Sequence, residues 1–177
     1  LIKHITAPIA DETVDGLAVG DRIEISGFIF TGRDAALPKL VALIKSGELE
    51  KAGIDLNGGV IFHTAVSPAG VGPTSSNKLE IEGSISELSK AGIKLHLGKG
   101  ALHESTVRAL DERRSLYAVM PPVTALLQSK IKSVKIAAFP EEGMEALHLL
   151  EVAGFPAVIA AAHGKSLYAN AGGGNGK

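Results

Sequence analysis

Three short segments hold the residues whose types and spacing could do chemistry. "TGRDAALPK", residues 31–39, carries Arg33 with Thr31 and Asp34 beside it. A guanidinium can grip a carboxylate through two parallel hydrogen bonds. "GPTSSNK", residues 72–78, sets the hydroxyls of Thr74, Ser75 and Ser76 next to a cation, Lys78. Hydroxyls and backbone amides in a turn can cradle an anion, and a hydroxyl can pass a proton where a neighbour assists it. "GKG", residues 98–100, places Lys99 between two glycines, which let a ligand come close to the backbone. Each segment also has a plainer reading. Arg33 and Asp34 would serve as a surface pair or a helix cap, the hydroxyl run as a turn, and Lys99 as a solvated turn residue. If the three segments converge, their cations would neutralise a small dicarboxylate and their hydroxyls would orient it.

Other chemistries find less support. The chain has no cysteine, which excludes disulfides, thiol catalysis and a thiolate cluster supplied by the chain itself. His4, His63, His96, His103, His148 and His163 show no compact metal-binding spacing. No Ser-His-Asp arrangement is readable, and "GPTSSNK" lacks the glycine and lysine order of a P-loop. His63 and His96 fall inside predicted strands and read as core or edge residues. His103 lies near the Lys99 loop and reads as structural or solvated.

The bulk numbers set the frame. A chain of 177 residues, 45% hydrophobic, suits one domain with a sizeable core, expected over residues 1–170. The glycine-rich end, residues 171–177, reads as a flexible tail. With 18 basic and 19 acidic residues the net charge is -1, so no general nucleic-acid-binding surface is expected. Aromatic residues make up 4% and tryptophan is absent, which leaves few platforms for stacking bases or sugars. The first residues lack the long apolar stretch of a secretory signal, no segment reads as a membrane span, and a cytoplasmic location is expected.

Strands and helices must position the three segments. "LIKHI" and "RIEISGFIF" alternate as strands, with Ile23 and Ile25 on one face and Gly27 marking a bulge. "ADETVDGLAVGD" between them reads as a polar connection with one turn. Pro38 opens a short helix over "PKLVALIKS" that Gly47 ends. "VIFHTAV" is a strand, and "SISELSKAGI" a helix capped by Ser84 or Ser86 and stopped by Gly92. "IKLHL" is a strand leading into "GKG". A helix over 103–114, with Val107 and Leu110 inward, precedes the strand "SLYAVM". "PPVTALLQSK" reads as a helix entered through proline, then "SVKIAAF" as a strand. "GMEALHLLEVAGF" permits either helix or strand, and "PAVIAAA" is a buried strand. The mixture predicts α/β or α+β with a mixed sheet and flanking helices, and puts all three polar segments at strand exits.

Together, "LAVGDRIEISGFIFTGRDAA", "GPTSSNKLE", "GKG", "PPVTALL", "IKSVKIAAFPEEGMEAL" and "FPAVI", in this order, resemble the beta subunit, or C-terminal catalytic domain, of the class I iron–sulfur hydro-lyases. That family includes class I fumarase and L-tartrate dehydratase, and the resemblance spans roughly residues 8–168. It implies an α/β swivelling β/β/α domain. It also implies a cysteine-bearing alpha subunit, or preceding domain, that holds a [4Fe–4S] cluster through three cysteines. Such a partner would explain a cysteine-free chain in an iron–sulfur enzyme. The active site would lie between the two parts, with one cluster iron acting as a Lewis acid on a dicarboxylate or 2-hydroxy diacid. An assembly with two copies of each part is implied as well.

Carried over by motif, Arg33 resembles the carboxylate-binding arginine of the family's "GRDAAH" segment, with Asp34 in support. Thr74 resembles the first threonine of "GPTT", a proton-transfer residue, with Ser75 beside it. Lys78 stands where the family has a substrate-binding arginine, and Lys99 resembles the substrate-contacting lysine of "KG". The chain also departs from the pattern. Leu37 and Pro38 stand in "GRDAALPK" where "GRDAAHKR" is usual, so one imidazole is missing. Lys78 keeps a charge but loses the planar fork. "EVAGFPA" has Ala153 and Gly154 in place of an acidic pair. Reversible hydration of fumarate to malate is the leading expectation. A tartrate or other 2-hydroxy-diacid dehydratase, or a weakened anion-binding partner domain, are the alternatives. The chain alone is expected to be inactive.

Overall fold

Alternating apolar residues make "RIEISGFIFTG" a strand with one fully buried face: Ile23, Ile25 and Ile29 are at most 1% exposed. In the computed structural model, which describes residues 1–72 and 78–168, this strand is β2 (Arg22–Gly32). β1 (Ile2–Thr6) lies parallel along one side of it. Further along the same side the parallel order continues through β3 (Val60–His63), β4 (Leu95–Gly98) and β5 (Leu116–Val119). A 16-residue strand, β7 (Leu147–Ala162), runs antiparallel to both β2 and β5. The path β2-β3-β4-β5-β7 therefore returns to β2 and closes a five-stranded, barrel-like ring within an eight-stranded sheet. β6 (Ile131–Ala138) flanks the first half of β7, and β8 (Lys165–Ser166) pairs with its end.

The ring is filled by its own strands. Ile23, Ile25, Val60, Phe62, Leu95, Leu97, Ala118, Phe155 and Ile159 form the main core, with the Phe62 and Phe155 rings edge to face at 6.0 Å. Residues of the opposite phase, Phe30 and Ile61, join a second core with Leu37, Leu40 and Leu88. Those leucines come from α2 (Leu37–Ser46) and α3 (Lys78–Lys90). A third cluster seats α4 (Glu104–Glu112) through Val107 and Leu110 against Tyr117, Ala160 and Ala161. α1 (Asp11–Asp15) and α5 (Thr124–Ser129) are short. Among the described residues no helix is long and apolar enough to cross a membrane.

Several expectations hold and others need correction. The β2–β7 register breaks between Ile25 and Gly27, as the glycine predicted, and Gly27 has φ 105°. A Cβ there would meet the Ala7 carbonyl oxygen at 2.7 Å, so only glycine lets the two backbones approach this closely. Gly47, with φ 73°, ends α2 in the left-handed conformation. In contrast, "ADETVDG" contains α1, whose Asp11 and Glu12 favour the positive end of the helix dipole. α3 begins at Lys78, six residues before Ser84, so neither Ser84 nor Ser86 caps it. Ser84, Ile85, Leu88 and Ser89 form its buried face. "GMEALHLLEVAGF" divides into a 3-10 turn, Pro140–Glu145, and the start of β7, which continues unbroken through "PAVIAAA". The proposed tail, residues 171–177, lies outside the described residues.

Candidate functional site at the strand exits

Parallel pairing brings the exits of β2, β3 and β4 to one edge of the ring. Arg33 follows the last residue of β2, His63 ends β3 opposite Gly32, and Lys99 follows the last residue of β4. Arg33 and Lys99 thus stand two strand spacings apart, roughly 10 Å at the level of the sheet. Arg33 and Asp34 are half-buried and Lys99 is exposed. Lys78 is the first residue of α3, and its side chain is outside the description. Thr74 and Ser75 lie outside the described residues.

Each exit is held by its neighbours. The Arg33 carbonyl accepts hydrogen bonds from the amides of Ala36 and Leu37, which makes a tight turn into α2. The Ala35 amide in that turn donates to Glu145 Oε1 at 3.3 Å. The same 3-10 turn reaches the β3 exit, where the Val66 amide donates to the Met144 carbonyl at 2.8 Å. Lys39, on α2, pairs with Glu141 at 2.7 Å and Glu142 at 2.6 Å. Leu37, at the position of the missing imidazole, packs into the second core and lies 2.9 Å from where a Gly32 Cβ would be. The Thr64 hydroxyl, fully buried, donates to the Gly72 carbonyl at 2.6 Å, fixing the chain just before residue 73. α5 backs this stretch closely: a Cβ on Gly72 would come 2.7 Å from Thr124 Oγ1.

The Lys99 loop has two anchors. The Tyr117 hydroxyl donates to the Gly100 carbonyl at 3.0 Å, and burial pushes that phenol up from its ordinary pKa. Three residues on, the His103 amide donates to Glu82 Oε1 at 2.6 Å, and its Nδ1 meets Glu82 Oε2 at 2.5 Å. Glu82 belongs to α3, and its side chain is only 7% exposed. Burial raises its pKa, and hydrogen bonds from the His103 amide and ring and from Thr106 outweigh that, leaving it lowered. Glu82 therefore ties the helix that begins at Lys78 to the loop that carries Lys99.

Beneath α3 lies a feature that local sequence reading missed. His63 Nε2 and His96 Nδ1 are 3.0 Å apart, with the rings stacked at 5.3 Å, and His96 Nε2 is 2.9 Å from Ser89 Oγ. Burial lowers the His63 pKa from 6.5 to about 4. Burial, and then repulsion from His63, push His96 well below its ordinary value. Both rings are neutral at pH 7. The signal in the sequence was shared phase: His96 pairs with Ile61, two residues before His63, so both imidazoles project from one face.

Buried polar atoms nearly always have hydrogen-bond partners, and one left without costs about 1–3 kcal/mol. Among the described residues, Thr31 Oγ1, Asp34 Oδ1 and His63 Nδ1 are buried without one. All three belong to the adjacent exits of β2 and β3. A ring nitrogen, a carboxylate oxygen and a hydroxyl left unsatisfied at these adjacent exits are what a polar ligand would complete. No group of three or more His, Asp or Glu among the described residues could hold a metal ion.

Comparison with known proteins agrees with the sequence resemblance. A family model described as "Fumarase C-terminus" matches residues 3–171. A Geobacillus stearothermophilus protein, whose name assigns it provisionally to the class I fumarate hydratases, is 32% identical over 93% of this chain and 33% of its own length. "Fumarate hydratase class I, anaerobic" of Escherichia coli (strain K12) is 31% identical over 80% of this chain and 27% of its own length. "L(+)-tartrate dehydratase subunit beta" of the same strain is 29% identical over 94% of this chain and 87% of its own length. The chain therefore spans about a third or less of these fumarase relatives and most of the tartrate dehydratase subunit.

Proposed function

The chain belongs to the fumarase C-terminus family, and from that premise we propose that it is the beta-type part of a hydro-lyase acting on a small dicarboxylate. The observation that carries the reading is the common edge. Arg33, Lys99 and the unsatisfied atoms of Thr31, Asp34 and His63 all stand at parallel strand exits, where α/β sheets hold ligands. Arg33 grips one carboxylate, and Lys78 and Lys99 neutralise the remaining charge. Thr74 serves as the proton-transfer hydroxyl, with Asp34 and Ser75 in support. The leading substrate pair is fumarate and malate. Dehydration of L-tartrate or another 2-hydroxy diacid is the second reading, favoured by near-equal identity to relatives of both names. A weakened anion-binding domain is a third, motivated by Leu37 and Lys78.

The [4Fe–4S] cluster that the family resemblance implies does not fit this chain as its ligand, because the chain has no cysteine. In this proposal a cysteine-bearing alpha subunit holds the cluster, and this chain supplies binding and proton-transfer groups. The unit 1–170 is a swivelling domain that meets its partner across the strand-exit edge. The alpha-beta unit forms a higher oligomer in the cytoplasm.

Co-purification with a cluster-bearing partner, followed by anaerobic turnover, tests the reading. Turnover of fumarate, malate or L-tartrate by the complex, and none by this chain alone, is expected. A faster fumarate reaction selects the leading substrate, and a faster tartrate reaction the second. A stable, iron-loaded complex that processes none of them would reject the assignment.

A further inference from the structure

The Ser89–His96–His63 chain has a direction. Each imidazole is neutral and carries one N–H, and two proton orders are conceivable. In one, the Ser89 hydroxyl donates to His96 Nε2, and His96 Nδ1–H donates to His63 Nε2. That order leaves the His63 proton on Nδ1. In the reverse order Ser89 accepts from His96, and its hydroxyl proton loses the acceptor it has here. The forward order satisfies every group except His63 Nδ1, which then stands as a buried N–H without an acceptor.

The place of that N–H gives it meaning. His63 is the last residue of β3, directly paired with Gly32, the residue before Arg33. The next residue, Thr64, fixes Gly72 at the entrance to the segment that carries Thr74. His63 is 3% exposed and His96 is fully buried, so water does not compete for the chain. A hydrogen-bonded partner sequence that fixes one tautomer is how an imidazole is set to present a single defined nitrogen.

We propose that Ser89 and His96 are positioning residues that present the His63 Nδ1–H as a hydrogen-bond donor to an oxygen of the bound diacid, beside the Arg33 site. The role rests on the dicarboxylate reading above. A neutral donor adds what Arg33 and Lys99 do not: it recognises an oxygen through direction without adding charge. A buried donor left without its acceptor also penalises ligands that bring no oxygen to that point, so His63 contributes to specificity among diacids.

Two measurements test this. On the ¹⁵N-labelled chain alone, long-range ¹H–¹⁵N correlations should show His63 protonated at Nδ1 and bare at Nε2. In the Ser89→Ala chain His96 should lose its single tautomer. His63 protonated at Nε2 in the wild type would overturn the direction of the chain. On the assembled complex, with fumarate and L-tartrate as probes, His63→Leu should raise KM for the turned-over diacid about 10- to 100-fold, the range of one lost hydrogen bond to a charged group. His63→Asn, whose amide reaches the Nδ1 position, should recover most of that loss. Ser89→Ala should give a smaller KM rise and serves if His63→Leu fails to fold. KM and kcat within twofold of wild type in both His63→Leu and Ser89→Ala would overturn the role. Thermal destabilisation without a KM change would assign the chain to structure alone and would also overturn it. A wild-type complex inactive on both diacids rejects the functional reading and this role with it, while the tautomer measurement still decides the chain's direction.

Discussion

His63 and His96 make acid stability a property of two side chains. Burial lowers the folded pKa of His63 from 6.5 to about 4, and burial and then His63 push that of His96 well below its ordinary value, so as pH falls below about 6.5 the unfolded chain binds protons that the folded chain refuses. Their contribution is complete above about pH 6.5 and is lost as pH falls towards 4. Urea midpoints measured from pH 7 to pH 4 should therefore fall steadily. Replacing both histidines, as His63→Phe with His96→Leu, should flatten that slope. An unchanged slope in the double variant would assign the acid sensitivity elsewhere. At this scale the sequence was partly legible. Arg33 and Lys99 announced themselves by type and by flanking glycines. The histidine pair did not, because its chemistry depends on two strands being neighbours in register, which a local pattern does not record. Leu37 shows the reverse case. Its departure from the family pattern was visible at once, but its burial against Gly32 and Leu147 was not.

Among the elements, α3 links more of the site than any local reading suggested. It starts at Lys78, places Glu82 against the α4 entrance and seats Ser89 on His96. The expected serine caps failed because Ser84 and Ser86 lie within a longer helix whose start precedes them. β7 was ambiguous for a related reason. Leu, Glu and Ala favour helix, yet the segment is paired on both sides by β2 and β6, and tertiary pairing overrides propensity. Glu82 gives this scale its test. Glu82→Ala removes the acceptor of the His103 amide and ring, which should cost about 1–3 kcal/mol of stability. If the staple also positions Lys99, the variant should raise KM in the assembled enzyme, and Glu82→Gln should restore part of both effects. A lower melting temperature with an unaltered KM would separate the staple from the site.

For the whole molecule, fold class followed from alternation, turn glycines and the mixture of elements, and the mixed sheet with flanking helices agrees with it. What remained hidden was lateral order. No local pattern states that β7 returns to β2 and closes the ring, or that β2, β3 and β4 pair in parallel with their exits side by side. The parallel pairing of β2, β3 and β4 turns three separate loops into one edge, and the proposed function depends on it. The most direct measurement is anaerobic turnover by the assembled complex carrying wild-type, Arg33→Ala or Lys99→Ala chains, with melting temperature recorded for each. Arg33→Ala should lower kcat/KM about 100-fold and Lys99→Ala about 10-fold, in keeping with charge-assisted hydrogen bonds of about 1.5–3 kcal/mol, with melting temperatures little changed. A turning-over complex in which Arg33→Ala keeps the wild-type kcat/KM would contradict the strand-exit site.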